Sequence, residues 1–292
     1  MNLENLIIQL LNGLVFSMLL FVMAAGLSLI FGLMDVVNLS HGAFYLLGGY
    51  IGLTVVRGLG NFLLALVLAP LLVGGLGLMV EYLLLRRLRG TGRHRHLHQV
   101  LLTFGLALIA ADLIRWNWGA YVESVPGPPL LAGQLPLFNI QFPVYRLALI
   151  GFGLALAAAL WMFMGRTRLG AIVRAGVSDP QMVGGLGINI QLVFAAVFAL
   201  GTALAALAGV IGSPVLSLYP GLDLEILILT FAVVVVGGLG TLKGAFFGSL
   251  LIGMADTFGK ALLPQFSLFL IFAIMALVLL IRPSGLFGLK VA

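Results

Sequence analysis

Long, continuous apolar runs dominate the chain. Leu192–Ile211 carries one hydroxyl in twenty positions, and Leu268–Ile281 carries no polar residue. A membrane barrel strand would alternate polar and apolar over about ten residues. Runs without alternation, each near the ~20 residues that a helix needs to cross hydrocarbon, read as spanning helices. They predict spans at roughly 6–30, 41–57, 62–85, 99–115, 143–164, 191–212, 224–240, 244–260 and 266–281. Gly237, Gly238 and Gly240 interrupt the seventh. The pair 224–240 and 244–260 therefore reads either as two spans or as one broken or re-entrant element. The expected fold is an all-α polytopic membrane protein, with about 8–9 transmembrane helices, some of them broken or Gly-interrupted. It forms a single transmembrane domain over 1–292.

Composition removes the soluble alternative. Of the 292 residues 62% are hydrophobic and 8% charged, with a mean hydropathy of +1.22. Water-soluble surfaces are built from about 25% charged residues. Glycine is high, at 39 residues. In lipid, small residues let backbones approach closely, and they also permit irregular backbone beside a cavity. Cysteine is absent, which excludes disulfides, thiol chemistry and thiolate metal sites. The first apolar run is too long for a cleaved leader and has no basic flank, so none is expected.

Charge sets an expected orientation. The net charge of +6 would suggest nucleic acid in a soluble chain, but here the bases sit between apolar runs. Arg86, Arg87, Arg89, Arg93 and Arg95 fall in one connection, and Arg166, Arg168 and Arg174 in another. The loop 116–142 holds Glu123 and no base. The positive-inside rule puts 86–98 and 165–190 in the cytoplasm and 116–142 outside. Counting spans then gives an external N-terminus and a cytoplasmic C-terminus; eight spans would flip one end. Pro126, Pro128, Pro129 and Pro136 exclude a regular helix from 116–142, which reads as an ordered external cap.

Three polar or glycine-rich stretches carry the candidate chemistry. In the first, Asp35, Asn38, Ser40 and His41 lie between two apolar runs. Two readings stand: a wet cytoplasmic turn, or a helix break facing the bundle interior. His41 has no partners at metal-ligand spacing. The second stretch, Val233–Gly244, is no nucleotide loop, because Lys243 is followed by Gly244 and no hydroxyl. Helix packing and a cavity-lining break both account for its glycines. Asn38, Ser40, His41, Gly237, Gly238 and Gly240 are thus the candidate translocation-path residues. The third stretch, 165–190, is long for a connection. Ser178-Asp179-Pro180 is a helix-start pattern, predicting a short surface helix over 180–186. Its apolar stripe is Met182, Val183 and Leu186. Docking of a soluble partner and lipid-surface binding both fit it.

Other features are weaker. His41-Gly42-Ala43-Phe44-Tyr45 is echoed by Lys243-Gly244-Ala245-Phe246-Phe247, consistent with an internal repeat or with chance. Glu81, Arg115 and Lys260 lie near span ends, where they are expected to snorkel. Asp256 with Lys260, and Asp112 with Arg115, have the spacing of helix-face pairs. No charge falls at a clear span centre, against an ion-driven transporter. No Ser/His/Asp set converges, so no catalytic residue is assigned. His94, His96 and His98 form at most an adventitious metal motif.

Three motifs carry a family resemblance: Gly26-Leu27-Ser28-Leu29-Ile30-Phe31-Gly32 running to Asn38-Leu39-Ser40-His41-Gly42; Arg174-Ala175 through Gly187-Ile188-Asn189; and Gly237-Gly238-Leu239-Gly240-Thr241 to Gly244-Ala245. Over essentially the whole chain the sequence resembles the permease subunits of ATP-driven (ABC) importers for branched-chain amino acids, the LivH-type family. The resemblance implies the ABC importer transmembrane architecture in the cell inner membrane. It implies a second homologous permease, two cytoplasmic ATP-binding subunits and an external solute-binding protein as partners. It also implies that this chain binds no cofactor, ATP being used by the partner subunits. The segment with Arg174, Ala175, Asp179, Met182, Val183, Leu186 and Gly187 resembles the coupling loop that docks on the ATPase. The family often has Glu-Ala-Ala where this chain has Gln181-Met182-Val183, followed by Gly184-Gly185. Since Gly costs about 1 kcal/mol against Ala in a helix, this docking helix should be less stable. Related urea and amide permeases share these motifs. A stand-alone secondary transporter or channel is the alternative of another class, and a membrane scaffold a third.

The topology is directly testable because the native chain lacks cysteine. Single cysteines at His94, Arg174 and Pro128 should show labelling of intact cells by an impermeant thiol reagent only at position 128. Labelling at 94 or 174 refutes the orientation.

Overall fold

The computed structural model describes residues 3–88, 95–137 and 140–288. Arg89, Arg93, His94 and Lys290 lie outside the described residues. The helices are α1 Leu3–Met34, α2 His41–Leu59, α3 Phe62–Leu83, α4 Arg95–Trp118, α5 Val144–Arg166, α6 Arg168–Ser178, α7 Pro180–Gly185, α8 Ile190–Leu216, α9 Leu222–Gly237, α10 Leu242–Leu262 and α11 Ser267–Ile281. Every apolar run of the sequence is helical, and most ends agree within a few residues.

Among the described residues, seven helical segments are long and apolar enough to cross a membrane on their own. Apart from the short α6 and α7, the exceptions are α9 and α10, which pass only as a pair and meet at 120° across a short break. The glycine interruption thus makes a sharp corner, so the count is eight when the bent pair is one unit.

Burial orders the helices. The most apolar window of α1 is 83% buried, whereas that of α11 is 6% buried. α1 is the central post, packed by α5, α8, α9 and α10. Large apolar side chains exposed on α3, α4 and α11, such as Leu71, Leu108 and Leu280, give the bundle an apolar outer surface of the kind that a membrane protein presents.

Two helices begin inside the bundle. α1 ends at Met34, yet His41, the first residue of α2, places Nε2 3.1 Å from the carbonyl oxygen of Met23. Met23 lies eleven residues before Met34, about 16 Å along a helix. The link 35–40 therefore doubles back beside α1, and α2 starts near the middle of the post. At its start Gly42 is pressed onto the carbonyl of Asp223, where α9 begins. The discontinuity is paid in buried polar groups: Asn38, Ser40 and His41 are 0%, 2% and 0% exposed. The wet-turn reading of this stretch does not hold. Only Asp35 is exposed there, in a left-handed conformation at φ 52°.

The cap between α4 and α5 contains a hairpin, Gln134–Leu137 antiparallel to Ile140–Pro143, which the proline count did not foresee. It is tied to the bundle through Glu123, whose backbone exchanges hydrogen bonds of 2.8 and 2.7 Å with Leu218. The Glu123 side chain pairs with Arg57 at the end of α2. Glu81 does not snorkel: it is 1% exposed, because the last turn of α3 is packed into the bundle with Leu85 wholly buried behind it.

Small residues set the helix spacing. A Cβ at Gly48 would collide with Ala206, and one at Gly209 with the Tyr45 carbonyl. Overpacking of this kind typically costs about 1–3 kcal/mol. Since the obstacle at Gly209 is backbone, Gly209→Val should sit at or above that range. Thermal melting of the purified chain should show a clear fall in stability. An unchanged melting temperature would mean that α2 and α8 do not pack this closely.

Candidate functional site

The α9–α10 corner is built by glycines in close opposition. Cβ atoms at Gly237 and Gly244 would each run into the other residue's carbonyl group. Gly238 and Gly240 take φ of 106° and 77°, which favours glycine. Gly240 meets Gly32 of α1, with a Cβ at either lying 2.7 Å from the other's Cα. Thr241 caps α10 by accepting from the Gly244 amide at 3.2 Å, and Ser28 donates to the Thr241 carbonyl at 3.2 Å.

The corner is also stitched to the chain that follows α11. The amides of Leu286 and Phe287 donate to the carbonyls of Val236 and Gly237, both at 2.9 Å. Helix-end carbonyls have no partner within their own helix, so these bonds satisfy acceptors that α9 leaves open. Gly238 lies against Gly288, with 2.8 Å between a Cβ there and the Gly288 Cα.

The residues proposed for a path divide between two places. Asn38, Ser40 and His41 sit in packed interior, where the Asn38 Oδ1 accepts from the Ser40 hydroxyl at 2.6 Å and its amide at 3.1 Å. Thr103 of α4 holds the same link, accepting from the Leu39 amide at 3.2 Å. The Asn38 Nδ2 and His41 Nδ1 atoms are buried without a hydrogen-bond partner. Gly240 does line a cavity, of about 500 Å³, together with Gly32, Trp161, Arg174, Lys243 and Phe287.

That cavity joins the corner to the connection after α5, which holds two helices where the sequence suggested one. α6 buries Gly170, Val173 and Gly176 and exposes Arg174 and Ala175. Gly176 rests on Leu33 in the last turn of α1, 2.8 Å from a Cβ to the Leu33 Cδ1. α7 is the expected short surface helix, and its cap is Asp179. The Asp179 carboxylate accepts from the Gln181 and Met182 amides, both at 2.9 Å. Ser178 instead bonds back to the Arg174 carbonyl. Met182 and Leu186 are 65% and 75% exposed, but Val183 is 2% exposed. Val183 therefore leaves the proposed docking stripe, because on so short a helix one side must rest on the protein. Gly187 turns the chain into α8 at φ 83°.

One polar constellation was not legible in the sequence. Asp256 of α10 is 5% exposed and accepts from Lys260 at 2.8 Å. Arg146 at the start of α5 donates to Asn12 of α1 at 2.6 Å. The sequence pairs Asp256 with Lys260 by spacing, but nothing in it brings α1 and α5 to them. All four line a single cleft of about 410 Å³. The second predicted pair, Asp112 and Arg115, is 3.7 Å apart and exposed. Among the described residues no group of three potential metal ligands exists. His96 lies 3.6 Å from Asp35.

Comparison with known proteins places this geometry. The family described as "Branched-chain amino acid transport system / permease component" matches residues 9–279. The high-affinity branched-chain amino acid transport system permease protein BraD of Pseudomonas aeruginosa is 29% identical, over 96% of this chain and 95% of that protein. The corresponding protein LivH of Escherichia coli K12 is 27% identical, over 96% and 94%. Among solved structures, PsaBC from Streptococcus pneumoniae in complex with Fab aligns with a TM-score of 0.51. It shares 14% identity and covers 94% of this chain and 92% of that chain, a likeness of fold alone.

The corner makes its own prediction. Gly238→Leu demands a left-handed leucine where backbone already stands, so it should displace residues 285–288 and reduce solute uptake to background. Membrane insertion should persist, because the apolar spans are unchanged. Protease protection beside radiolabelled uptake tests both, and normal uptake in this variant would refute a role for the corner.

Proposed function

Since the chain belongs to the family of branched-chain amino acid transport system permease components, we propose that it carries branched-chain amino acids across the cytoplasmic membrane. It works there as the non-catalytic membrane subunit of an ATP-driven importer. ATP is bound and hydrolysed by two cytoplasmic partner subunits. A second, homologous permease completes the membrane portion, and an external solute-binding protein delivers the amino acid. The full-length likeness to BraD and LivH supports this reading, since both are named for such systems.

One structural observation carries the coupling role. Arg174 of α6 and Gly240 of the corner line the same cavity, and α6 rests through Gly176 on the end of α1. A push on α6 and α7 thus reaches the central post and the corner through direct contact. Met182 and Leu186 supply the exposed apolar surface that a soluble subunit would cover.

Two contacts support an external N-terminus and a cytoplasmic C-terminus. Phe287 shares the Arg174 cavity, so the segment after α11 lies on the α6–α7 face. Asn12 bonds Arg146, just beyond the 116–142 cap, so the first half of α1 lies on the opposite face. With the arginines of 165–190 inside, this placement needs seven crossings and a bent pair whose two outer ends both lie on the cap face, as the contacts of Leu218 with Glu123 and of Lys260 with the Asn12 cleft support.

Burying Met182 and Leu186 against a partner would contribute roughly 1.5–3 kcal/mol each. Changing both to Asp should therefore weaken ATPase copurification and cut substrate-stimulated ATP hydrolysis at least about tenfold. The spans should still fold. If both readouts stay at the unmodified level, α7 is not the coupling element and rests on the membrane surface.

A further inference from the structure

The cleft formed by α1, α5, α8 and α10 has a composition that neither packing nor orientation requires. Its polar wall is Gln9, Asn12, Arg146, Asp256 and Lys260, and the remainder is largely apolar, with Val15, Leu19 and Val215. It opens on the face that carries the 116–142 cap, opposite α6 and α7. We propose that this cleft is a transit site for a free α-amino acid, which it recognises as a zwitterion with an aliphatic side chain. The proposal rests on the permease reading above and gives that function a place in the chain.

The charge pattern selects the ligand. Arg146 and Lys260 stand near the ends of their helices, but Asp256 lies a turn further in and is 5% exposed, where a carboxylate is costly without a partner. Here Asp256 and two cations line one cleft, with the carboxylate of Glu225 in α9 near enough to Asp256 to add a second negative charge. A phosphate or lipid headgroup would be drawn to Arg146 and Lys260 but repelled by Asp256. A metal or organic cation would meet the reverse. A zwitterion satisfies both signs: its carboxylate faces the guanidinium of Arg146, whose fork matches carboxylate geometry, and its ammonium faces Asp256. The apolar wall takes the aliphatic side chain. The volume of about 410 Å³ lies in the range of small-molecule sites.

The resting pairs fit passage more than capture. Asp256 is held by Lys260, whose side chain is half exposed, and Arg146 is held by Asn12. A ligand must therefore exchange existing hydrogen bonds for new ones, so the net gain is small. A transit site needs this, since a solute must leave as readily as it enters.

The absence of cysteine makes the cleft directly testable, because Thr257, which lines it, can become the single thiol of this chain. The assembled importer carrying Thr257→Cys, without solute-binding protein, is treated with an impermeant thiol reagent, and labelling of this chain is followed on gels. Millimolar leucine should slow labelling about threefold when present at twice its dissociation constant. Leucine analogues with one charge, 4-methylpentanoate and 3-methylbutylamine, should not. Arg146→Gln or Asp256→Asn in the same chain should raise the leucine concentration needed for protection about tenfold. Equal protection by the singly charged analogues, no protection by leucine, or a thiol the reagent never reaches would each overturn the site. The analogue comparison uses only the Thr257→Cys chain, so it holds even if the charge variants assemble poorly. Leucine uptake by the complete system is measured in parallel. Normal uptake without protection sinks the cleft alone, whereas no leucine uptake by the unmodified system sinks the substrate reading itself.

Discussion

Backbone-to-backbone contact along α1 is the constraint on which this fold depends. Lipid tails are as apolar as leucine, so burial from lipid gives helices little reason to associate, and close packing must supply it. α1 meets that demand on several sides with small residues. Gly26 lies against the Gly201 carbonyl of α8, Gly32 against Gly240, and Ser17 against Gly253 of α10. With α8, α10 and the corner each held near van der Waals contact, a shift of any one must move α1. The same post runs from the α6–α7 face, through Leu33 against Gly176, to the opposite half of the bundle, where Asn12 meets Arg146.

The second constraint follows from the first. Once α2 and α9 start inside the bundle, their ends carry backbone groups that water does not reach, and each needs a partner from the protein. The chain supplies these locally. Asn38 and Thr103 hold the link before α2, the Asp223 carboxylate accepts from the Gly221 amide at 3.1 Å, and Leu286 and Phe287 close the end of α9. Irregular backbone is thus confined to places where side chains or a returning segment satisfy it. Gly42 and Gly244, in the two similar Gly-Ala-Phe segments, meet opposite ends of α9, at Asp223 and Gly237. α9 is therefore gripped at both ends by the starts of other helices.

The polar residues sort by what surrounds them. Arg57 and Glu123 fasten the cap to α2, and Arg115 with Asp112 stays at the surface. Asp256, Lys260, Arg146 and Asn12 differ, since they come from three helices and share one cleft. The spacing of residues along one helix reveals the Asp256–Lys260 pair but is blind to what a neighbouring helix presents. Glu81 shows the same limit from the other side. Its place near a span end suggested exposure, yet the packing of α3 buries it.

What the sequence determined by itself was everything that depends on one segment against its solvent. The apolar runs sufficed for helices in lipid, because hydrophobicity and length alone decide whether a segment spans. The three motifs at 26–42, 174–189 and 237–245 carried the family, and Asp179-Pro180 carried the start of α7, since a cap is a bond between neighbours in the chain. Tertiary structure alone decided the 120° corner, the return of residues 35–40 beside α1, the inward turn of Val183 and the meeting of Arg146 with Asp256 across one cleft. Each of these depends on which helix faces which and how deep it sits. Hydropathy is nearly uniform around these membrane helices, so their sequence does not say which face turns inward. That information arises only when small residues allow particular backbones to touch.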